Sequence, residues 1–287
     1  MLEYYNNITK TLIFPYNFNE ILKDIPDDTK VIIFSENHEL NEYSKYNQEI
    51  KEYVLPDSLH TLTFGWNFNQ EIKENVLPDS LHTLSLGCKF NKDIKENVLP
   101  NSLHTLIFSW NFNQKIKENI LPVSLHTLEF GLHFNQEIKK NVLPVSLHTL
   151  IFDMDFNQEI KENVLPVSLH TLTFGITFNQ EIKKNVLPVS LHTLTFGINF
   201  NQEIKDNVLP KSIKRICLFS HCNLIKNLPL WIEDVYIQFL NDIGDKEVTN
   251  LPMTLERIII SDEKFLKYIT KIPFGCDIII QKLNKVI

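Results

Sequence analysis

Prolines at Pro56, Pro78, Pro100, Pro122, Pro144, Pro166, Pro188 and Pro210 stand 22 residues apart without exception. A fixed period of this length marks stacked repeats, in which a unit too small to bury its own apolar face is covered by its neighbours. The unit is nearly constant. From Pro56 it runs Pro-Asp-Ser-Leu-His-Thr-Leu-Thr-Phe-Gly-Trp-Asn-Phe-Asn-Gln-Glu-Ile-Lys-Glu-Asn-Val-Leu, ending at Leu77. Worn copies flank it. Thr11 to Phe14 with Phe18 and Asn19 repeat Thr61 to Phe64 with Phe68 and Asn69, and Pro26 ends that turn. The next proline, Pro56, comes after 30 residues, and the eight extra residues predict an inserted loop at about Ser35 to Lys45 on one edge. Beyond Pro210, apolar residues follow Pro229 and Pro252 at the usual offsets, and the turn after Pro273 loses the register.

These spacings predict a single solenoid over 1–287, with degenerate capping turns at 1–55 and 211–287 and about thirteen stacked turns. Each turn holds one short period-2 segment, Leu62-x-Phe64 in the first regular turn, of residue types that suit a strand. Stacked in register, such strands form one long parallel β-sheet with neighbours ~4.8 Å apart. Leu59, Leu62, Phe64, Phe68, Ile72 and Val76 then point inward and recur as columns. Truncating a Phe within such a column costs ~3–5 kcal/mol. The return from Gln70 to Leu77 is about two helical turns in length and stops at a proline, so extended or short 3₁₀ structure is expected there.

The remaining columns decide between surface binding and chemistry. Asn69 recurs through Asn201, always after a core Phe, where a side-chain amide can satisfy backbone groups at a corner. His60, His82, His104, His126, His148, His170 and His192 form a second column. Seven equivalent imidazoles in a line fit neither the single asymmetric constellation of an active site nor the tetrahedron of a zinc site, and are read as structural or surface residues. No catalytic, cofactor-binding or metal-binding residue is assigned, and no cofactor is expected. The Trp66 column (Cys88, Trp110, Leu132, Met154, Ile176, Ile198) is apolar; exposed, it would be a hydrophobic patch and an interface candidate, but its parity with Leu62, Phe64 and Phe68 favours the core. The Asn67 column is polar and varied, as is the outward strand column Thr63, Ser85, Ile107, Glu129, Ile151, Thr173, Thr195. Lys73 and its equivalents face an acidic column broken only at Lys115, a solvated face of exposed ion pairs.

Composition narrows the partner. The net charge of -7 includes no basic run, and Arg215 and Arg257 are the only arginines, which argues against nucleic acid. Met1 to Ile8 lacks the character of a secretory signal, and no stretch is apolar enough to span a bilayer. Cys88, Cys217, Cys222 and Cys276 share no register and no zinc spacing, so a reducing compartment is expected.

The string Phe68-Asn69-Gln70-Glu71-Ile72 with Leu77-Pro78 resembles the FNIP repeat, a 22-residue relative of the leucine-rich repeat found in social amoebae and in giant viruses of amoebae. That resemblance implies a leucine-rich-repeat-like horseshoe and a non-enzymatic scaffold that binds a protein partner through its sheet face and edge loops. For a viral chain it implies a host partner and a place in the host cytoplasm or the virion. The corner differs from bacterial leucine-rich repeats, whose asparagine falls three residues after the last strand leucine; here Asn69 falls five after Phe64. Family members often carry an F-box before the repeats, and a first repeat beginning by Thr11 leaves no room for one. The alternatives are a structural or passive viral protein, or the substrate-recognition part of a ubiquitin-ligase adaptor without its own F-box.

Overall fold

The computed structural model describes residues 1–281 apart from 206, 220, 223, 225–227, 240–246 and 249, so the last residues of the expected C-terminal cap, 282–287, lie outside the described residues. The chain forms two compact units, 1–147 and 148–287. The first carries β1 (Tyr5–Asn6), β2 (Thr11–Phe14), β3 (Val31–Phe34), β4 (Thr61–Thr63), β5 (Thr83–Ser85), β6 (Thr105–Ile107) and β7 (Thr127–Glu129). The short β1 lies antiparallel on β2, and from β2 onward every neighbour is parallel and in repeat register, with Leu62 opposite Leu84 and Leu84 opposite Leu106.

The second unit holds β8 (Thr149–Ile151), β9 (Thr171–Thr173), β10 (Thr193–Thr195), β11 (Arg215–Phe219), β12 (Asp234–Gln238), β13 (Arg257–Ile260) and β14 (Asp277–Ile280). Its described pairings are parallel in the same way. The strands from β2 to β14 bound about twelve complete turns, so the chain is a parallel β-solenoid, and the thirteen turns read from the sequence correspond to its strands.

Alternation within each three-residue strand separates the faces. The middle residue is buried and its two neighbours are half-buried in every strand from β4 to β10. Leu59, Leu62, Phe64, Phe68, Ile72 and Val76 are all buried, and of their columns only that of Ile72 weakens, with Ile94, Ile116 and Ile204 half-buried. Within a turn the two phenylalanines stack face to face, with Phe64 and Phe68 centroids 3.7 Å apart and Phe174 and Phe178 likewise 3.7 Å apart. Between turns the same rings continue as columns, 6.2 Å from Phe68 to Phe90 and 6.2 Å from Phe156 to Phe178.

The Trp66 column departs from the sequence expectation. Trp66 is half-buried, and Trp110 and Met154 are exposed. Parity fails because the strand ends at Thr63 and the chain turns between the two stacked rings, with the Phe68 N–H donating to the Gly65 carbonyl. Residues 65–67 therefore bulge outward instead of continuing a pleat. The turn is tight against its neighbour: a Cβ on Gly197 would lie 2.0 Å from the Gly175 carbonyl oxygen.

The return side contains no helix among the described residues of the regular turns, in line with the proline that ends it. It bends at Asn75, Asn97, Asn119, Asn141, Asn163, Asn185 and Asn207, all left-handed with φ between 59° and 65°. Asparagine is the non-glycine residue that tolerates this region best, because its short polar side chain bonds locally. Asn119 is exposed, so substitution there isolates the backbone term. We expect Asn119→Gly to keep the denaturation midpoint and Asn119→Val to lose about 1–2 kcal/mol, measured by urea melts. Equal midpoints would show that the corner does not require the left-handed conformation.

Candidate interaction surface

The side chains that hold one turn to the next are set apart from those left to the surface. At the corner after the second Phe, each asparagine Oδ1 accepts from the backbone N–H of the asparagine one turn on. The distance is 3.0 Å for Asn69 to the Asn91 N–H and 2.9 Å for Asn157 to the Asn179 N–H. The following glutamine donates Nε2 to the same oxygen, as Gln136 does to Asn113 at 3.0 Å and Gln180 to Asn157 at 3.0 Å. This is the satisfied corner expected of the asparagine column. A second ladder went unrecognised in the sequence: Ser80, Ser102, Ser124 and Ser190 each donate Oγ to a leucine carbonyl one turn back, at 2.7–2.8 Å. The Ser-Leu that follows Pro-x in seven successive turns, from Ser58 to Ser190, was its only sign.

The histidines His82, His104, His126, His170 and His192 are exposed, and in each Nδ1 lies 2.5–2.6 Å from the carbonyl oxygen of the serine two residues earlier. A carbonyl only accepts, so Nδ1 carries a proton in each of these rings. The rings stack 5.2 Å apart from His82 to His104 and 5.1 Å apart from His148 to His170, parallel and in line. Among the described residues no group of three or more His, Cys, Asp or Glu is placed to hold a metal ion. None of the four cysteines is in a disulfide; Cys88 and Cys276 are half-buried and Cys217 and Cys222 buried, and burial pushes the Cys217 thiol up to about 12.

The return face is a ladder of exposed ion pairs between turns. Lys73 pairs with Glu49 at 2.5 Å, Lys183 with Glu159 at 2.6 Å, Lys205 with Glu181 at 2.8 Å, and Lys95 with Glu71. Bonding to Lys95 and Lys205 holds the Glu71 and Glu181 carboxyls below their ordinary range, and bonding to Glu49, Glu159 and Glu181 raises Lys73, Lys183 and Lys205 respectively. Such exposed pairs are screened by salt and add little each.

The two arginines serve one carboxylate. Asp234, which opens β12, is 3% exposed and accepts from Arg215 Nη2 at 2.9 Å and from Arg257 Nε at 2.6 Å. Both guanidiniums are engaged by this carboxylate, while the arginine side chains themselves remain 52% and 42% exposed. Beside them Cys217, Tyr236 and Ile259 form a small buried cluster on strand positions that are half-buried in the regular turns. The worn C-terminal turns therefore carry a different outer face from the regular ones.

What remains for a partner is the outward strand columns, the edge turn at 65–67 and the inserted segment. The insertion is a tight hairpin in which Asn37 and Glu42 exchange backbone hydrogen bonds at 2.8 and 2.9 Å, with Asn41 left-handed at φ 52°. It is tied back by the Lys45 N–H to the Tyr16 carbonyl at 2.6 Å and by Asn67 Nδ2 to the Ser44 carbonyl at 2.6 Å. The column after the proline also changes character, from Asp57, Asp79 and Asn101 to Val123 and Val145 in the first unit, both more than 70% exposed.

Replacing both Arg215 and Arg257 by Met leaves the Asp234 carboxylate buried without a counter-charge and is expected to cost about 3–5 kcal/mol. Adding Asp234→Asn should recover most of that loss, measured by urea unfolding. No recovery would mean that the arginines act through packing rather than charge.

The comparisons with known proteins agree with this geometry. The FNIP repeat model matches 46–89, 90–133, 134–176 and 178–220. Among curated proteins none matches the chain. Among solved structures, the giant-virus protein CroV588, described as a novel circular LRR protein, is 46% identical over 86% of this chain with a TM-score of 0.75. The match covers 36% of that protein, so this chain spans about a third of its relative's length. Solenoids of this type are non-catalytic scaffolds that mediate protein contacts, and no helix among the described residues is long and apolar enough to cross a membrane. By its repeats and its turn geometry, this chain belongs to the FNIP repeat family.

Proposed function

We propose that the chain binds a protein partner through the outward face of its sheet and the edge loops beside it. The observation that carries this reading is where variation is permitted. Inward columns and corner ladders keep the same residues turn after turn, whereas the half-buried outward column reads Thr63, Ser85, Ile107, Glu129 in the first unit and Ile151, Thr173, Thr195 in the second. A surface of small and varied side chains, held on a backbone fixed by its own hydrogen bonds, is preorganised for recognition. The horseshoe curvature belongs to the same proposal, supported by the circular form described for CroV588. So do the roles of 1–55 and 211–287 as caps, the former supported by the antiparallel β1 that ends the sheet. A host partner, met in host cytoplasm or at the virion, completes the reading and accords with four cysteines that form no disulfide.

The test is comparative capture from amoebal lysate with covalent cross-linking. Ile107→Arg with Glu129→Arg alters the sheet face, and Glu71→Arg with Glu159→Arg alters the return face. We expect the sheet-face variant to lose the proteins held by the parent and the return-face variant to keep them. Loss from both, or from neither, would contradict the assignment of the face.

A further inference from the structure

The outward bulge of 65–67 gathers aromatic side chains at one place in the first unit. Trp66 and Trp110 come from turns two apart, yet their rings meet edge to face with centroids 4.8 Å apart. Cys88 holds the intervening turn's place in that column, and its small side chain leaves the indoles room to close across it. Burial raises its thiol's pKa, which fits a side chain lying beneath them. From the inserted hairpin, Tyr43 packs on Trp66 at 4.2 Å. Tyr43 is 41% and Trp110 46% exposed, so the three rings form a ridge with solvent on its outer side.

A carboxylate is fixed against this ridge. Glu36 Oε1 accepts from the Trp66 backbone N–H at 2.9 Å, and the same carboxylate acts on the Cys88 thiol, raising it further. Glu39 lies in the same hairpin. Aromatic faces next to a held carboxylate match a guanidinium. Arginine stacks flat on an indole, is attracted by its ring quadrupole, and offers further N–H donors to the carboxylate oxygens. An uncharged apolar segment would strip water from Glu36 without replacing it. A sugar would meet rings inclined at 65° instead of a flat platform.

We infer that the Tyr43–Trp66–Trp110 ridge, with Glu36, is a docking site for an arginine-bearing segment of a partner protein. This rests on the scaffold reading and deepens it by naming a second contact, at the strand ends and hairpin rather than on the strands.

The probe is a fluorescein-labelled peptide of four Gly-Arg repeats, titrated with the full chain and read by anisotropy, beside matched Gly-Lys and Gly-Glu peptides. We expect saturable binding of the Gly-Arg peptide, weaker binding of Gly-Lys and none of Gly-Glu. Trp110→Ser should weaken the Gly-Arg peptide roughly tenfold, as loss of a desolvated cation–π contact predicts. Glu36→Gln, which keeps the shape, should weaken it several-fold, and Glu159→Gln on the return face should not change it. Equal affinity in parent and Trp110→Ser with circular dichroism unchanged, or equal loss in Glu36→Gln and Glu159→Gln, would overturn the site. If the peptide shows no ridge-dependent binding while sheet-face variants still lose captured proteins, this inference falls and the scaffold reading stands.

Discussion

The structure depends on the hydrogen bond that each corner asparagine extends to the next turn. A strand of three residues satisfies only a few backbone groups, and the chain must then reverse twice within 22 residues. Each bond that closes such a reversal at the surface adds about 0.5–1.5 kcal/mol, and the repeat adds one per turn. In the first unit the Asn69 oxygen takes the Asn91 N–H and that of Asn91 takes the Asn113 N–H, and in the second that of Asn157 takes the Asn179 N–H, so each of these turns completes the corner of its successor. The serine hydroxyls do the same on the other side of the strand. With corners fixed this way, the paired phenylalanines are held at stacking distance and the inward columns follow.

One consequence is a division of labour among positions. Residues that join turn to turn cannot vary without breaking a neighbour, and they account for most of the repeat's constancy. Freedom is left at the outward strand position, at the 65–67 turn and at the insertion. The Trp66, Cys88 and Trp110 arrangement illustrates this: three successive turns carry Trp, Cys and Trp at one position, and only that combination lets two indoles meet. A uniform column could not produce it.

Much of the fold was legible in the sequence because the repeat multiplies each signal. Leu59, Leu62, Phe64, Phe68, Ile72 and Val76 recur often enough that periodicity alone placed them inside, and all are buried. Parity misplaced Trp66, since alternation holds only within a pleated strand and the strand ends before it. The left-handed Asn75 column was overlooked because asparagine suits both a side-chain bond and a special backbone angle, and a sequence does not say which is in use. Asp234 with Arg215 and Arg257 was missed for another reason. Each falls five residues after its proline, in the column that Thr61 opens, but the worn turns of 19, 23 and 21 residues replace threonine there by charges that occur in no regular turn. The aromatic ridge combines both difficulties, a misread parity and an insertion with no repeat equivalent.

The central claim is that the turns are interchangeable units joined by cross-turn contacts, and a pair of deletions tests it most directly. Removing Val123 to Pro144 takes out one 22-residue period and joins Pro122 to Val145, which restores every column and both ladders in register. Removing Val123 to His133 takes out half a period and sets polar positions where leucine and phenylalanine ran. Circular dichroism and thermal melts of the two purified variants should show the first folded, with its Tm within several degrees of the parent, and the second aggregated. Equal damage from both would contradict the account, because a unique globular core, and not a stack of equivalent turns, would then hold the chain together.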